Sequence, residues 1–133
     1  MSANPSFPSA IKNGGLRILN SAGTAFQTVM AAGTSGSRVD VCNACNEDAA
    51  NPYVLQMAVR IGSTDYVLGE VTVPAGAGTN GSTSAVDVFD AIPALENTMN
   101  VMFLAANSSL RARPKTAVSG SNAVVVLAIG GDY

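Results

Sequence analysis

The chain of 133 residues contains no histidine and no tryptophan, and it has only two cysteines. Without histidine, a serine nucleophile lacks its usual general base. A serine–lysine pair would have to use Lys12 or Lys115, and both lie in loop-like segments. We therefore expect no enzyme activity and no catalytic residues. For the same reason we expect no metal site and no bound cofactor.

Charge is also scarce. Charged residues make up 12% of the chain and the net charge is −2, whereas an average soluble domain is roughly 25% charged. Hydrophobic residues reach 47%, but aromatic residues supply only 5%. A surface with so few charges favours a place in an assembly, where neighbouring subunits cover it. The low aromatic content disfavours a carbohydrate-binding module, since sugar-binding platforms usually use Trp or Tyr.

Long hydrophobic runs are absent as well. The strongest runs, 101–106 and 123–129, are far shorter than the ~20 residues that a membrane-spanning helix needs. The N-terminal sequence MSANPSFPSAIKNGG lacks the basic start and the apolar stretch of a secretory signal. We therefore expect no membrane partner. We also expect synthesis in a reducing cytoplasm, where a structural disulfide is disfavoured.

Turn-forming residues recur along the whole chain, about every ten residues. These Gly-, Asn-, Ser- and Pro-rich stretches lie at 13–15, 21–23, 32–37, 47–52, 62–64, 74–84, 107–109 and 119–122. The runs between them are rich in Val, Ile, Leu and Thr. The best helix candidate, 86–95, contains β-branched residues and a proline that limit it to one short turn. This pattern predicts an all-β fold, an antiparallel β-sandwich or jelly roll of about eight short strands.

The chain is predicted to form a single domain over residues 15–133. The segment 74–84 is a loop of small residues and not a linker, because the roughly fifty residues after it are too few for a second core. Residues 1–14 carry two prolines and little apolar content. They are predicted to form an extended N-terminal arm, either disordered or laid across a neighbouring subunit.

Alternation within the runs predicts which side chains share a face of a sheet. In 53–61 the apolar residues occupy alternate positions, with Gln56 and Arg60 on the opposite face. In 66–73, Val67 is predicted to share a face with Val71. Side chains on a strand point alternately to its two faces, so this alternation predicts which side chains of each run are buried.

Cys42 and Cys45 form a C-x-x-C motif, a spacing that elsewhere serves zinc binding or disulfide exchange. The strand pattern of 38–46 places Cys45 on one face with Val39 and Val41, and Cys42 on the other. Residues three apart on a strand point in opposite directions, so these two thiols cannot chelate one ion or bridge to each other. We expect two reduced, inert thiols. A site shared with cysteines of another subunit is the alternative.

Two further patterns resemble ligand sites but lack an essential part. The segment GAGTNGST at 76–83 has the glycine spacing of a phosphate-binding loop, but Ser82 stands where the lysine belongs. Asp87 and Asp90 form a carboxylate pair without the spacing of a calcium loop. We interpret the 76–83 segment as a surface loop, and Asp87 and Asp90 as solvent-exposed carboxylates of a loop.

A basic cluster is the best candidate for partner docking. Arg111, Arg113 and Lys115 occupy alternate positions, so a strand presents all three on one side while Leu110 and Ala112 face the core. This arrangement predicts a docking stripe for an acidic protein surface, with an ordinary solvent-facing strand as the alternative. Nucleic acid is a disfavoured partner, because the overall charge is negative and no aromatic residues are interleaved with the basic ones.

The second half of the chain carries a familiar order of segments: VDVCNACN, YVLQMAVRI, YVLGEVTVPAG, VMFLAANSSLRARP and NAVVVLAIGGDY. Over residues 38–133 this order resembles small structural proteins encoded beside the head and tail genes of tailed bacteriophages. The chain departs from that pattern at Asn107 and Ser108, which stand where the pattern has Gly-Asp.

The resemblance implies a β-sandwich component of the virion, made in the host cytoplasm. It implies most specifically a capsid decoration (cement) protein that binds the head shell and stabilises it. The implied partners are the chain itself, as a homo-oligomer such as a trimer, and the major capsid protein or other virion proteins. A head–tail junction or tail component is the alternative within this class. A carbohydrate-binding jelly-roll module is the alternative from another class.

Overall fold

The chain folds as a sandwich of two antiparallel β-sheets in the computed structural model, which describes residues 7–96 and 100–133. The described strands are β1 Ala10–Ile18, β2 Gln27–Ala31, β3 Ser37–Asn46, β4 Tyr53–Ile61, β5 Thr64–Val73, β6 Val86–Asp87, β7 Met102–Leu104, β8 Ser108–Pro114 and β9 Val124–Asp132. The described helical elements are a 3-10 turn, Asn20–Ala22, and a short helix α1, Pro93–Glu96. The predicted antiparallel all-β sandwich is confirmed, with nine strands described in place of about eight.

Each sheet combines strands that are distant in sequence. Sheet A has the order β1-β9-β3-β6, and β7 also pairs with β3. Sheet B has the order β2-β8-β4-β5. Strand β9 therefore lies inside sheet A, paired with β1 on one side and with β3 on the other. Most of the pairing is long-range, so the fold depends on contacts between the two ends of the chain.

The first strand begins inside the segment 1–14 that was predicted to be an arm. Ala10 pairs with Asp132, and the register continues to the pair of Ile18 with Val124. Residues 10–14 thus belong to sheet A, while residues 1–6 of the predicted arm lie outside the described residues.

The glycines that looked like a turn at 13–15 have a different role. A Cβ on Gly14 would lie 2.5 Å from the carbonyl oxygen of Val29 and 2.7 Å from Cβ of Met30. Only a residue without a side chain lets β1 approach β2 this closely. The glycine therefore marks a close strand crossing, and the strand continues through it.

The core fills the space between the two sheets. Its largest fully buried side chains are Phe89, Ile18, Met30, Leu55, Met57, Ile92, Leu110, Val39, Val71, Val73, Val88 and Val118. Phe89 and Ile92 come from the segment after β6, where Ile92 approaches Gly69 on the edge strand β5. Burying side chains of this size stabilises the fold by roughly 1.5–3 kcal/mol each.

A β-bulge at Asp40 interrupts the alternation of β3. Val39 pairs with Gly130 and Val41 pairs with Ile129, so Asp40 is an extra residue between them. Val39 is fully buried, whereas Val41 is 46% exposed on the opposite side of the sheet. The prediction that Val39 shares a face with Val41 and Cys45 is therefore wrong, because the bulge rotates the rest of the strand.

A second bulge has the same effect on β5. Met57 pairs with Gly69 and Ala58 pairs with Val67, which leaves Leu68 as the extra residue. Val71 is buried as predicted, but Val67 is 54% exposed on the outer side of sheet B. The prediction that Val67 shares the face of Val71 is wrong for this reason.

Candidate docking surfaces

The two cysteines lie on opposite sides of β3, as the strand spacing predicted. Cys42 is buried between the sheets, and Cys45 is half-buried on the other side, where it contacts the loop at Gly78. Both thiols are free. Burial, with the charge of Asp87 as a second cause, raises the pKa of Cys42 to about 12. Cys42 therefore stays protonated and unreactive near neutral pH.

The segments that resembled ligand sites form turns. In the 76–83 loop, the side-chain oxygen of Asn80 accepts hydrogen bonds from the backbone N–H groups of Ser82 and Thr83. The carboxylate of Asp87 accepts hydrogen bonds from the backbone N–H groups of Phe89 and Asp90. Within residues 7–96 and 100–133, no group of three or more Cys, Asp or Glu side chains is placed to hold a metal ion.

The predicted basic stripe lies on the outer side of sheet B. Leu110 and Ala112 are fully buried, as the alternation of β8 predicted. Arg111 projects outward but is bound by its own chain. Its Nε lies 3.0 Å from Oδ1 of Asp65, and its side chain is only 15% exposed. Its guanidinium also donates hydrogen bonds to Oγ1 of Thr28 and to the carbonyl of Phe26.

Arg113 and Lys115 are more open to a partner. Nε of Arg113 donates a 2.8 Å hydrogen bond to Oε1 of Gln56, and its guanidinium lies 4.7 Å from the ring centre of Phe26. Nζ of Lys115 lies 2.8 Å from Oε1 of Glu70, and both side chains are exposed. Among the described residues, Arg113 is bound to no carboxylate. Its positive charge is therefore not neutralised by a carboxylate of the same chain and can attract an acidic partner.

The outer side of sheet B has an excess of positive charge. Four basic and two acidic side chains lie on or beside its outward positions, which gives a net charge of +2 on a chain whose total is −2. These side chains are Arg60, Arg111, Arg113, Lys115, Asp65 and Glu70. We call this surface the basic face.

The outer side of sheet A has the opposite character. It carries six exposed large apolar side chains, which are Phe7, Ile11, Val41, Phe103, Leu127 and Ile129. Ile11 is 91% exposed and Phe103 is 65% exposed. The strand registers place Val41 beside Ile129, and Ile11 in one cross-strand row with Phe103. We call this surface the apolar face.

The charges that border the apolar face neutralise one another. At one end Nε of Arg38 lies 2.9 Å from Oδ1 of Asp40, and at the other Nη2 of Arg17 lies 2.6 Å from Oε2 of Glu47. An open cavity of about 310 Å³ lies at the first end, between Arg38, Phe7 and Ile11. These four charges thus cancel as two pairs, while the register places the exposed Asp87 of β6 on the same side of the sheet, in the row of Leu127.

A polar network missed by the sequence analysis joins three loops at one end of the sandwich. The buried carboxylate of Asp48 accepts hydrogen bonds from the hydroxyls of Tyr53 and Ser119, and from the side chain and backbone of Asn51. The bond of Tyr53 first, then that of the Asn51 side chain and that of the Ala50 backbone N–H, hold the pKa of Asp48 well below its usual range.

The neighbouring Asn46 extends this network to a third connection. Its Nδ2 donates to the carbonyls of Asn51 and Pro74, and its Oδ1 accepts from the backbone N–H of Asp48. The polar run EDAANPY signals a turn, but only the fold brings Ser119 to it. Because every member has a hydrogen-bond partner, this network fixes the loops and does not present a reactive group.

The comparisons with known proteins assign no family. No protein-family model matches the sequence, and no curated protein matches it. One solved structure, described as a pentameric capsid protein isolated from metagenomic phage sequences, is similar to 90% of this chain with 20% sequence identity and a TM-score of 0.40. The match covers 61% of that protein, so the chain spans less than two-thirds of its length. No helix in the described ranges is long and apolar enough to cross a membrane.

Proposed function

We propose that the chain is a structural protein of a tailed-phage virion, and specifically a capsid decoration (cement) protein that binds and stabilises the head shell. The observation that carries this proposal is the apolar face. Monomeric soluble proteins rarely leave so many large apolar side chains together on one surface, and such surfaces usually mark an interface. In a subunit of a stable assembly, neighbouring subunits cover such side chains.

The strand order supports the same class. We interpret the two sheets, β1-β9-β3-β6 and β2-β8-β4-β5, as those of a jelly roll, with β6 and β7 sharing the last position of sheet A. Jelly rolls are common in viral capsid and lectin domains. This support is an analogy at the level of the fold, and the function itself has to be argued from the surfaces.

The basic face supplies the attachment site in this proposal. Its net positive charge suits an acidic patch on the major capsid protein or on another virion protein. Arg113 and Lys115 are the side chains best placed to contact that partner, since Arg111 is largely covered and bound to Asp65. The same surface would serve a head–tail junction or tail component, which remains the alternative location on the particle.

A carbohydrate-binding role is less well supported. Tyr53, one of only three tyrosines, is buried with its hydroxyl bound to Asp48. Its ring therefore cannot form an exposed platform for a sugar. Tyr66 is exposed, but a single ring on an edge strand does not provide the paired stacking surface of a typical sugar site.

The test is a binding experiment with the particles of the virus that encodes the chain. Mass spectrometry of purified virions should detect the protein, and heads produced without its gene should bind the purified protein in a co-sedimentation assay. Bound protein should raise the temperature at which these heads release DNA. Absence from purified virions would overturn the proposal. Presence in isolated tails but not in heads would favour the alternative location.

A further inference from the structure

We infer that the apolar face is the surface through which two copies of this chain associate, stacked face to face. This inference rests on the proposed function and deepens it, because it names the partner that covers the apolar face of the protein. The basic face is then left free for other virion proteins.

The size of the apolar face suits a stable self-association. Strands β1 and β9 are nine residues long, so the face is about 30 Å long at a rise of roughly 3.3 Å per residue. Four strand positions spaced by roughly 4.8 Å give a width of about 19 Å, and hence a projected area on the order of 600 Å². Two stacked copies would bury on the order of 1,200 Å², the lower limit for a specific and stable interface.

The chemistry of the face also fits a second copy better than a charged partner. Four of its bordering charges form the two ion pairs Arg38–Asp40 and Arg17–Glu47, one at each end. Beyond these pairs the register adds one charge, Asp87, at the edge strand β6. A face with so little net charge repels a copy of itself only weakly, and it offers little to attract a strongly charged surface. In a stack whose two-fold axis runs across the strands, the Arg38–Asp40 end of one copy lies over the Arg17–Glu47 end of the other. Each guanidinium then lies near a carboxylate of the partner copy.

The shape of the face is self-complementary for a general reason. The sheets of two identical copies twist with the same hand, and such sheets pack face to face at about 10 Å with their strands aligned within roughly 30°. Gly15, whose Cβ position is open, leaves a low position beside the protruding Leu127 on the same side of the sheet. Side chains of one copy can therefore fit between those of the other.

The test compares two double variants with the same change in charge. Leu127→Lys with Ile129→Lys places two lysines in the middle of the apolar face. The control, Ile61→Lys with Val67→Lys, places two lysines at exposed apolar positions of sheet B. Sedimentation equilibrium over a wide concentration range measures self-association. Far-UV circular dichroism verifies the sheet content of each variant.

We expect the wild-type chain and the control to self-associate with similar affinity. The Leu127/Ile129 variant should weaken self-association by about a hundredfold or more, because two unpaired charges would be buried in the interface. If that variant does not fold, Ile11→Lys gives the same test at an almost fully exposed position. A wild-type chain that stays monomeric overturns the inference. So does a face variant that associates as well as wild type, or a control that dissociates as much as the face variant.

These outcomes are separable from the fate of the proposed function. A monomeric wild-type chain that still binds heads in the co-sedimentation assay would overturn the self-association and leave the virion role standing. A chain that dimerises through the apolar face but is absent from virions would overturn the virion role and leave the self-association standing.

Discussion

The hydroxyl of Tyr53 donates a 2.7 Å hydrogen bond to Oδ2 of Asp48, and both side chains are buried. This bond joins the start of β4 to the turn that follows β3. Ser119, which donates a 2.9 Å hydrogen bond to the same oxygen, adds the loop before β9. One carboxylate thus holds two connections of the sandwich that are 71 residues apart in sequence.

The Asp48 network should make folding stability sensitive to acid. Because the pKa of Asp48 is lowered in the folded state, its contribution is fully present above the unfolded value of about 4 and is lost as the pH falls. Asp132 acts in the same direction, since Ser37 first and then Lys12 lower its pKa. Asp48→Asn should lower the melting temperature by several degrees at pH 7, and the difference from wild type should shrink in acid. Thermal melts over a pH series measure this, and a constant difference at every pH would contradict it.

The thiols are predicted to differ in reactivity. Cys42 is buried with a raised pKa, so alkylating reagents should label it only after unfolding, whereas Cys45 should react slowly in the native protein. Cys42→Ser should cost about 1–3 kcal/mol, because a hydroxyl would be buried without a partner. Peptide mass spectrometry after labelling measures the reactivity of the two thiols, and denaturant melts measure the cost of Cys42→Ser.

We also predict no stoichiometric zinc in metal analysis of the native protein. One zinc per subunit would show that the C-x-x-C motif binds metal.

Attachment to heads is predicted to depend on the basic face. Arg113→Gln with Lys115→Gln should weaken binding in the co-sedimentation assay, and added salt should weaken wild-type binding in the same way. Removing the exposed Lys115–Glu70 pair should cost no more than about 1 kcal/mol of stability. Arg17→Gln, a charge loss outside the basic face, is the control and should reduce head binding less than the double variant does. If the double variant bound heads as well as wild type, the basic face would be an ordinary solvent-exposed surface and not the attachment site.

Arg111 is unsuited to that binding test, although it belongs to the same stripe. Its guanidinium is bound to Asp65, Thr28 and the carbonyl of Phe26. Arg111→Gln should therefore destabilise the fold by about 1–3 kcal/mol by removing charged hydrogen bonds. A denaturant melt measures this cost. No measurable change in stability would contradict the contacts described for this side chain.

Two glycines of sheet A are predicted to respond oppositely to alanine. A Cβ on Gly130 would lie 1.8 Å from the carbonyl oxygen of Arg38, beside the bulge at Asp40, so Gly130→Ala should cost about 2 kcal/mol or more. Gly15 has open space at the Cβ position, and Gly15→Ala should stabilise the strand by about 0.5–1 kcal/mol. Denaturant midpoints of the two variants measure the contrast. Equal effects would show that the bulge adapts to the added methyl group.

The fold class was predictable from the sequence because its signals are local. Turn residues recur at short intervals, and the alternation of 53–61 and of β8 identifies buried residues such as Leu55 and Leu110. The errors lie at the glycines of 13–15, which belong to β1 instead of a turn, and at the two bulges. An extra residue such as Asp40 or Leu68 has no local signature, because its place depends on the register with a partner strand.

The surfaces were less predictable than the fold. The three basic residues were placed on one side of β8, but the carboxylates that bind Arg111 and Lys115 come from β5, which is not adjacent to β8 in sequence or in the sheet. The apolar face combines Ile11, Val41, Phe103 and Ile129 from four strands. A single sequence gives no information on which strands are neighbours, so such a surface becomes visible only in three dimensions.

The position of β9 has a consequence for the order in which the molecule can fold. It comes after all the other described strands in sequence, yet it separates β1 from β3 inside sheet A. While the chain is being synthesised, sheet A cannot close until β9 has left the ribosome, and until then β1 and β3 lack their common partner. Folds dominated by such non-local pairing acquire their structure slowly, and their unpaired strands are exposed to aggregation in the meantime. The appearance of β9 therefore determines when sheet A, and with it the apolar face, can first form.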